Sequence, residues 1–222
     1  MRSHCPLSIF HCPFSIVLAL ALTMSSCSSS ENEEEGFPAL ITEMGLLRVG
    51  ASTADVTLLT DGGHAYRVST EIEGLKPNAS ARCLCGYVLQ DEGTVEVRTL
   101  SGVGILPDCT ELDVPYRDPV GAVSAWMGGG FVNLHLLKKT QGADHQWGFL
   151  LDDQHPNVAG GTTYEVSLFH RQGDDPAAYS TDIYFSLSQD SLSRTRTTAD
   201  SLLLTVYTFE AQPHRWRFGL TP

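Results

Sequence analysis

Histidine and aspartate are the residue types in this chain that could do chemistry, and they gather in its second half. The candidates are His135, His145, His155, His170, Asp152, Asp153, Asp174 and Asp175. Imidazole and carboxylate groups hold divalent metals, but such a site needs several ligands at a defined spacing. These residues lack such a spacing, and a single histidine in a strand is usually hydrogen-bonded or exposed. We therefore expect no metal site and no cofactor.

Sequence motifs for known reactions are absent. There is no Gly-x-Ser-x-Gly elbow, no phosphate-binding Gly-x-x-x-x-Gly-Lys-Ser/Thr loop and no His-Glu-x-x-His pair. The acids in residues 173–176 are typical of a hairpin loop in water, whereas a glycosidase needs two carboxyl groups about 5–9.5 Å apart across a cleft. We expect no catalytic residues and a protein that is not an enzyme. A hydrolase is the less favoured alternative.

Tryptophan and glycine give the remaining candidates for binding. Trp126, Trp147 and Trp216 could stack on carbohydrate, but each has apolar neighbours in or beside a predicted strand, which favours core packing. The backbone amides of residues 128–130, all glycine, could hold an anion. A sharp turn with close packing before a strand is the favoured interpretation of these glycines.

The N-terminus has the pattern of an exported lipoprotein. A positive charge at Arg2 precedes a short apolar run, residues 16–22, and small residues that end at Cys27. We predict a lipoprotein signal peptide at residues 1–26, lipidation of Cys27, and a flexible acidic tether at residues 27–37. An ordinary secretory cleavage site is the alternative. The Glu-rich tether resembles the export signal of surface lipoproteins of Bacteroidota, and a plain linker explains it equally well.

Charge and cysteine usage limit the remaining possibilities. The formal net charge of −12 disfavours nucleic acid, whose phosphates are bound by Lys and Arg. Beyond the predicted anchor the cysteines are Cys83, Cys85 and Cys109. Packing as small apolar residues is favoured for them, although Cys109 could pair with one of the other two.

Period-two patterns with turn residues between them predict an all-β fold. Residues 40–49, 55–60, 65–69, 81–90 and 94–100 read as five short strands, with a tight hairpin at residues 61–64. Five strands with little helix favour a small barrel of the oligonucleotide/oligosaccharide-binding (OB) type. We assign this barrel to residues 38–113 and place the domain boundary in the Pro- and acid-rich segment 107–119.

The strand-like runs in the second half of the chain predict a β-sandwich at residues 118–222. Strand-like runs lie at residues 131–137, 145–151, 164–170, 183–187, 202–209 and 215–220. Their number and turn spacing favour an immunoglobulin-like sandwich. Residues 120–127 read as one short helical turn before the glycines.

The chain as a whole resembles the NigD-like family of lipoproteins from Bacteroidota. The features that carry the resemblance are the small residues that end at Cys27 (a lipobox), Gly-Leu-Lys-Pro at residues 74–77 and Asp-Pro-Val at residues 118–120. A His-containing strand end with an acidic loop at residues 169–175 adds to them. Residues 126–134 are similar to the family's Trp-x-Gly-Gly-Gly-aromatic-x-Asn run. The resemblance implies a barrel followed by a sandwich. The family name comes from a bacteriocin-associated operon with a proposed immunity role, and no catalytic residues accompany it.

These observations lead to a functional expectation of a binding module rather than an enzyme. We expect a lipid-anchored outer-membrane protein, at the cell surface or otherwise on the periplasmic side, that contacts an envelope protein, a toxin or a glycan. Immunity to a bacteriocin or toxin is the alternative, and it rests on the family name alone.

Overall fold

The computed structural model describes residues 39–221, which form strands and turns with one short 3-10 helix, Gln189–Ser191. The predicted signal peptide, Cys27 and the tether lie outside these residues. Within the described part, no helix has the length and apolarity needed to cross a membrane.

The first five strands close into a barrel. They are β1 Ile41–Val49, β2 Val56–Thr60, β3 Ala65–Val68, β4 Ser80–Leu89 and β5 Thr94–Gly102. Strand order is β1-β2-β3-β5-β4, with β4 pairing back onto β1 and β3 running parallel to β5. This is a five-stranded barrel of the OB type. Alternate residues point inward, and the core includes Leu47, Leu58, Cys85, Tyr87 and Val95, each at most 1% exposed.

The predicted hairpin at residues 61–64 is confirmed. The amide of Thr60 donates to the carbonyl of His64 at 2.8 Å, and Gly63 has φ of +88°, a conformation that glycine adopts readily. This hairpin joins β2 to β3 and places Asp61 at the edge of the barrel.

Eight further strands form two four-stranded sheets. They are β6 Gly104–Ile105, β7 Gly121–Gly128, β8 Phe131–Thr140, β9 Gln146–Pro156, β10 Thr162–Arg171, β11 Tyr179–Ser188, β12 Ser201–Val206 and β13 His214–Gly219. One sheet has the order β13-β12-β10-β9 and the other β6-β11-β8-β7. The predicted fold class, a barrel followed by a β-sandwich, is confirmed.

The sandwich core comes from the alternation that the sequence shows. The inward residues are Val132, Leu134 and Leu136 on β8, Tyr164, Val166 and Leu168 on β10, and Leu202, Leu204 and Val206 on β12, each at most 7% exposed. Burial of each such side chain contributes about 1.5–3 kcal/mol to folding before the loss of chain entropy is counted.

The helical turn predicted at residues 120–127 is wrong, because this segment is the edge strand β7. Its register with β8 shifts between Ala122 and Ser124, so Val123 is an extra residue. The shift breaks the period of two, and most residues here are small, which is why the sequence pattern does not read as a strand.

The chain passes from the barrel to the sandwich sheets at Val103. Strand β5 ends at Gly102, and β6 then pairs in parallel with Phe185 and Ser186 of β11. These pairings show which strands are hydrogen-bonded to each other, but they do not show whether the barrel and the sandwich fold independently. The division into residues 38–113 and 118–222 stays a prediction.

The cysteines of the described part are free. Cys83 and Cys85 are buried in the barrel core, where burial raises the thiol pKa values to about 11 and about 12. Cys109 lies against Gly148 of the sandwich, and burial raises its pKa as well. Packing rather than pairing is therefore the role of these thiols.

Candidate functional site

A buried polar cluster, here called the latch, joins the barrel to the sandwich through Asp61, Arg82, Asn133 and Ser186. Arg82 alternates with the inward residues Cys83 and Cys85, so it points out of the barrel. Asn133 and Ser186 likewise point out of the sandwich. The two outer faces meet here, which leaves the Arg82 side chain 1% exposed.

Every polar group of the latch is engaged. The Arg82 guanidinium donates to both carboxylate oxygens of Asp61 at 2.6 and 2.5 Å, to Asn133 Oδ1 at 2.9 Å and to Ser186 Oγ at 3.0 Å. The Asn133 amide donates to Asp61 Oδ2 at 2.8 Å, and the Ser186 hydroxyl donates to Asn133 Oδ1 at 2.7 Å. A bidentate pair with fully used partners can be held in a dry environment.

The glycine turn between β7 and β8 packs on the latch. A Cβ at Gly128 would lie 2.7 Å from Asp61, and one at Gly129 would overlap the same carboxylate. Arg82 stacks over the Phe131 ring, with Cζ 4.4 Å from the ring centroid. The close-packing interpretation of these glycines is thus what the structure shows, and the packed group is a carboxylate of the barrel.

A groove, here called the junction groove, lies beside the latch. Its volume is about 460 Å³, and it is lined by Ser101 and Gly102 of β5, by Gly104, and by residues 182–185 of β11. The apolar side chains of Leu100 and Ile105, on the strands that border it, are 37% and 49% exposed. Concave surfaces with apolar and a few polar side chains are the usual location of binding sites.

The outer face of the β6-β11-β8-β7 sheet continues from the latch with aromatic side chains. His135 stacks on Tyr184 with ring centroids 4.4 Å apart and a 14° interplanar angle, and its Nε2 lies 2.5 Å from Asp182 Oδ1. Trp126 pairs with Asn133 in register, so it points to the same face. The latch fixes one end of this face, and the groove opens next to it.

The three candidate tryptophans differ in their surroundings. Trp147 and Trp216 are half-buried and pack against the sandwich core. Trp126 is half-buried on the outer face of the sheet. Trp126 is therefore the tryptophan whose surroundings fit a binding role, and that role stays a prediction.

A second groove, of about 320 Å³, lies at one end of the barrel. Residues 53, 54, 56 and 68–72 line it with aliphatic and hydroxyl side chains and one carboxylate, that of Glu71. It offers no aromatic ring, so the junction groove is the better candidate for a binding site.

A second polar cluster, here called the relay, closes the end of the sandwich away from the barrel. It consists of Thr140, His145, His170 and Asp175, and Thr140 lies about 23 Å along β8 from Asn133. His145 Nε2 lies 2.9 Å from Asp175 Oδ2, and His145 Nδ1 lies 2.8 Å from His170 Nε2. Thr140 also hydrogen-bonds Asp175.

Burial sets the electrostatics of the relay. It lowers the pKa of His170 to about 4, with the His145 charge acting in the same direction. The hydrogen bond from Thr140, with further ones from His145 and the amides of Gln141 and Ala143, holds the pKa of Asp175 well below its usual range. The relay is thus an ionised carboxylate beside a histidine pair in which His170 resists protonation.

The structure brings together His145, His170 and Asp175 from the predicted His and Asp candidates. The others lie elsewhere: His135 pairs with Asp182, His155 with Asp153 at 3.5 Å, Asp152 with Arg117 at 2.6 Å, and Asp174 is exposed. Within residues 39–221 no three His, Cys, Asp or Glu side chains are placed to hold a metal ion.

Comparison with models of protein families identifies the family of this chain. A model described as the NigD-like C-terminal beta sandwich domain matches residues 105–218. The chain belongs to the NigD-like family. No curated protein sequence matches it.

Solved structures of similar fold come from Bacteroides and Parabacteroides. A NigD-like immunity protein from Bacteroides caccae is 24% identical with a TM-score of 0.64, covering 82% of this chain and 93% of that chain. A protein described as toxin-related from Parabacteroides distasonis is 17% identical with a TM-score of 0.62, covering 82% and 94%. One described as a lipoprotein from Bacteroides fragilis is 12% identical with a TM-score of 0.53, covering 80% and 96%. At these identities the likeness shows a shared NigD-like fold.

Sequence reasoning missed Asp61 and Arg82. Their signals were present: Arg82 is a single charge in an otherwise apolar stretch of strand, and Asp61 stands at a hairpin tip. A strand arginine with apolar neighbours is a candidate for a buried, paired position. Its partner could not be named, because Asn133 and Ser186 are 51 and 104 residues away from it in sequence.

Proposed function

We propose that this NigD-like protein is a lipid-anchored, non-enzymatic binding module of the cell envelope, and that the junction groove binds a protein partner. The groove between β5 and β11 carries the proposal. Ile105, 49% exposed beside the groove, offers apolar area, and Tyr184, His135 and Trp126 offer aromatic surface of the kind that protein interfaces use.

The latch supports this proposal because it makes the groove rigid. One wall of the groove belongs to the barrel and the other to the sandwich, and the Arg82 contacts fix one wall against the other. A preformed site loses less entropy on binding than one that must be assembled.

The relay supports the non-enzymatic part of the proposal. Asp175, His145 and His170 have the residue types of a catalytic triad, but the His145 and Asp175 side chains are 0% and 1% exposed. Both nitrogens of each imidazole are engaged within the fold. A general base needs a nitrogen within reach of a substrate proton, and here none faces solvent.

The envelope location rests on the N-terminal sequence. Lipidation at Cys27 followed by the tether of residues 27–37 would hold the folded body close to a membrane, at the cell surface or on the periplasmic side. The likeness to a structure described as a lipoprotein supports this placement.

Immunity to a toxin is the second candidate function. The likeness to a NigD-like immunity protein and to a protein described as toxin-related favours it. A toxin would be one kind of protein partner for the junction groove, so the two candidates use the same surface.

The test is site-specific photo-crosslinking in cells that express the full-length lipoprotein. A photo-reactive residue at Tyr184 should give a discrete protein adduct, because this side chain lies in the groove. The matched control is Tyr179, which is 53% exposed on the same strand β11 but far from the groove. Equal adducts at both positions, or an adduct that a glycosidase removes, would contradict a protein partner in the groove.

Two further measurements separate the candidate functions. A deletion strain should become sensitive to supernatants of sibling strains if the protein confers immunity, and Tyr184→Ala should fail to restore protection while Tyr179→Ala restores it. Unchanged sensitivity would exclude immunity and leave the binding proposal standing. Protease shaving of intact cells, with a periplasmic control, tells the cell surface from the periplasmic side.

A further inference from the structure

The hydrogen bonds of the relay determine how many protons it holds. His170 Nδ1 lies 2.9 Å from the carbonyl oxygen of Asp118, which can only accept, so this nitrogen carries a hydrogen. Asp175 is ionised and accepts from Thr140 and from the amide of Gln141. His145 Nε2 faces the same carboxylate and therefore carries a hydrogen too.

The contact between the two imidazoles requires one more proton. His145 Nδ1 and His170 Nε2 are 2.8 Å apart, and a hydrogen bond at that distance needs a hydrogen on one of them and a lone pair on the other. The pair thus holds three protons, whereas two neutral imidazoles hold two. It carries one positive charge, and the charge is most stable on His145, next to the Asp175 carboxylate.

Other charged groups near His170 act on it in opposite directions. Lys138 of β8 repels a second positive charge on His170, while the Asp118 carboxylate favours one. Arg117 and Arg171 are directed elsewhere: the first pairs with Asp152 and the second stacks over Tyr116. Trp147 covers one face of the His170 ring at 4.0 Å between centroids, which keeps water away.

The relay also fastens two loops to the end of the sandwich. The β8–β9 loop is held by the Gln141 amide, which donates to Asp175 Oδ1 at 3.0 Å, and by His145 itself. The β10–β11 loop is held through Asp175, whose carboxylate accepts from Thr140 and lies 2.9 Å from His145 Nε2. Gln172 joins the rest of that loop to this anchor, because its side-chain amide donates to the Asp175 carbonyl at 2.6 Å.

We propose that the relay is an acid-sensitive fastener: a fourth proton on the His145–His170 pair releases the β8–β9 and β10–β11 loops. With four protons, Nδ1 of His145 and Nε2 of His170 would both carry hydrogens at a separation that demands a lone pair on one of them. Two imidazolium ions would then face each other across this contact, and their repulsion would oppose it. The pair separates, and the loops that it holds separate with it. This inference does not depend on the proposed binding function.

The first measurement is the proton count itself. Nitrogen-15 NMR of the histidines in the purified full chain, at about pH 7, should show both nitrogens of His145 protonated and Nε2 of His170 unprotonated. Spectra of His170→Gln and His155→Gln assign the signals. Two neutral rings at this pH would overturn the proposal, whatever the loops do.

The second measurement is loop release. Hydrogen-exchange protection at Gln141 and Gln172, corrected for intrinsic rates, should fall roughly ten-fold or more between about pH 7 and about pH 4.5, because the opened pair takes up a proton more readily. His170→Gln keeps an acceptor oxygen that cannot be protonated in this range, so it should hold the loops closed in acid. Exposed His155→Gln is the control and should release them like the unmodified protein.

Should His170→Gln fail to fold, the unmodified protein still decides between the outcomes. Protection at Gln141 and Gln172 that falls while core amides such as Leu134 and Leu204 stay protected supports a local fastener. Protection that falls everywhere together, or nowhere, overturns it.

Discussion

Arg82 shows how a residue of the barrel can make buried contacts with the sandwich. It lies on barrel strand β4, yet two of its partners, Asn133 and Ser186, are in the sandwich. Because the Arg82 side chain is 1% exposed, water cannot solvate its charge, and its hydrogen-bond partners must do so. The stability of the protein should depend on this residue more than on any surface charge.

The prediction for this residue is a large loss of stability in Arg82→Met. The substitution keeps side-chain volume but leaves the Asp61 carboxylate buried without its partner, so the free energy of unfolding should fall by about 3–5 kcal/mol. Urea denaturation followed by tryptophan fluorescence measures it. Arg98→Met is the control, since Arg98 pairs with Glu96 at 2.9 Å on the barrel surface and is 52% exposed. Its effect should stay below about 1 kcal/mol, and equal losses in both variants would show that the latch adds nothing.

At the scale of elements, the turn between β7 and β8 offers a matched pair of glycines. Gly129 and Gly130 have φ of +57° and +81°, so alanine is strained at both, by about 1–2 kcal/mol. A Cβ at Gly129 meets Asp61, whereas one at Gly130 meets nothing within 4 Å. We expect Gly129→Ala to lose roughly 1–3 kcal/mol more than Gly130→Ala, as measured by urea denaturation. A smaller loss in Gly129→Ala would mean that the turn does not press on the carboxylate.

The relay makes the sandwich sensitive to acid. Burial lowers the pKa of His170 from its ordinary value of 6.5 to about 4, so the unfolded chain binds this proton at a higher pH than the folded one. The stabilisation is complete above about pH 6.5 and is lost as the pH falls towards about 4, by about 3 kcal/mol in total. Asp175 also has a lowered pKa, but its contribution is lost only in stronger acid.

Thermal unfolding as a function of pH measures this loss. His170→Gln should flatten the stability curve between about pH 6.5 and 4, and His155→Gln should leave it unchanged. An unmodified curve in His170→Gln would assign the acid sensitivity to other groups.

Sequence patterns predicted the elements better than their arrangement. Strands with clear alternation, such as Val132, Leu134 and Leu136 in β8, were found because one face of each meets the core. β7 was missed because Val123 is inserted into its register. The pairing of β3 with β5 was out of reach, because strand order depends on contacts distant in sequence.

The candidate site was predictable to a smaller extent. The glycine turn was correctly read as a packing feature, and three members of the His and Asp set do meet in the relay. Their partner Thr140, and the hydrogen bond of His170 to the Asp118 carbonyl, carry no sequence signal because they depend on how three segments converge. The junction groove is likewise formed by strands that sequence spacing does not bring together.

At the scale of the whole molecule, the latch predicts that the barrel and the sandwich unfold together. Calorimetry of the unmodified protein should show one transition whose calorimetric and van't Hoff enthalpies agree. Asp61→Asn and Arg82→Met each remove part of the link, and we expect two separable transitions in the variants. A single transition in all three proteins would mean that other contacts are enough to couple the two halves.

The latch also constrains how such proteins can diverge. If the barrel were joined to a sandwich that lacks the asparagine, the serine or the glycine turn, Arg82 and Asp61 would be buried without the groups that receive them. A chimera takes its barrel from one protein and its sandwich from another, joined at Val103. It should therefore be soluble only when positions 61, 82, 128, 129, 133 and 186 all carry the residues of the same protein. Across homologues these positions should change as a set, so that recombination passes on the two halves as a pair.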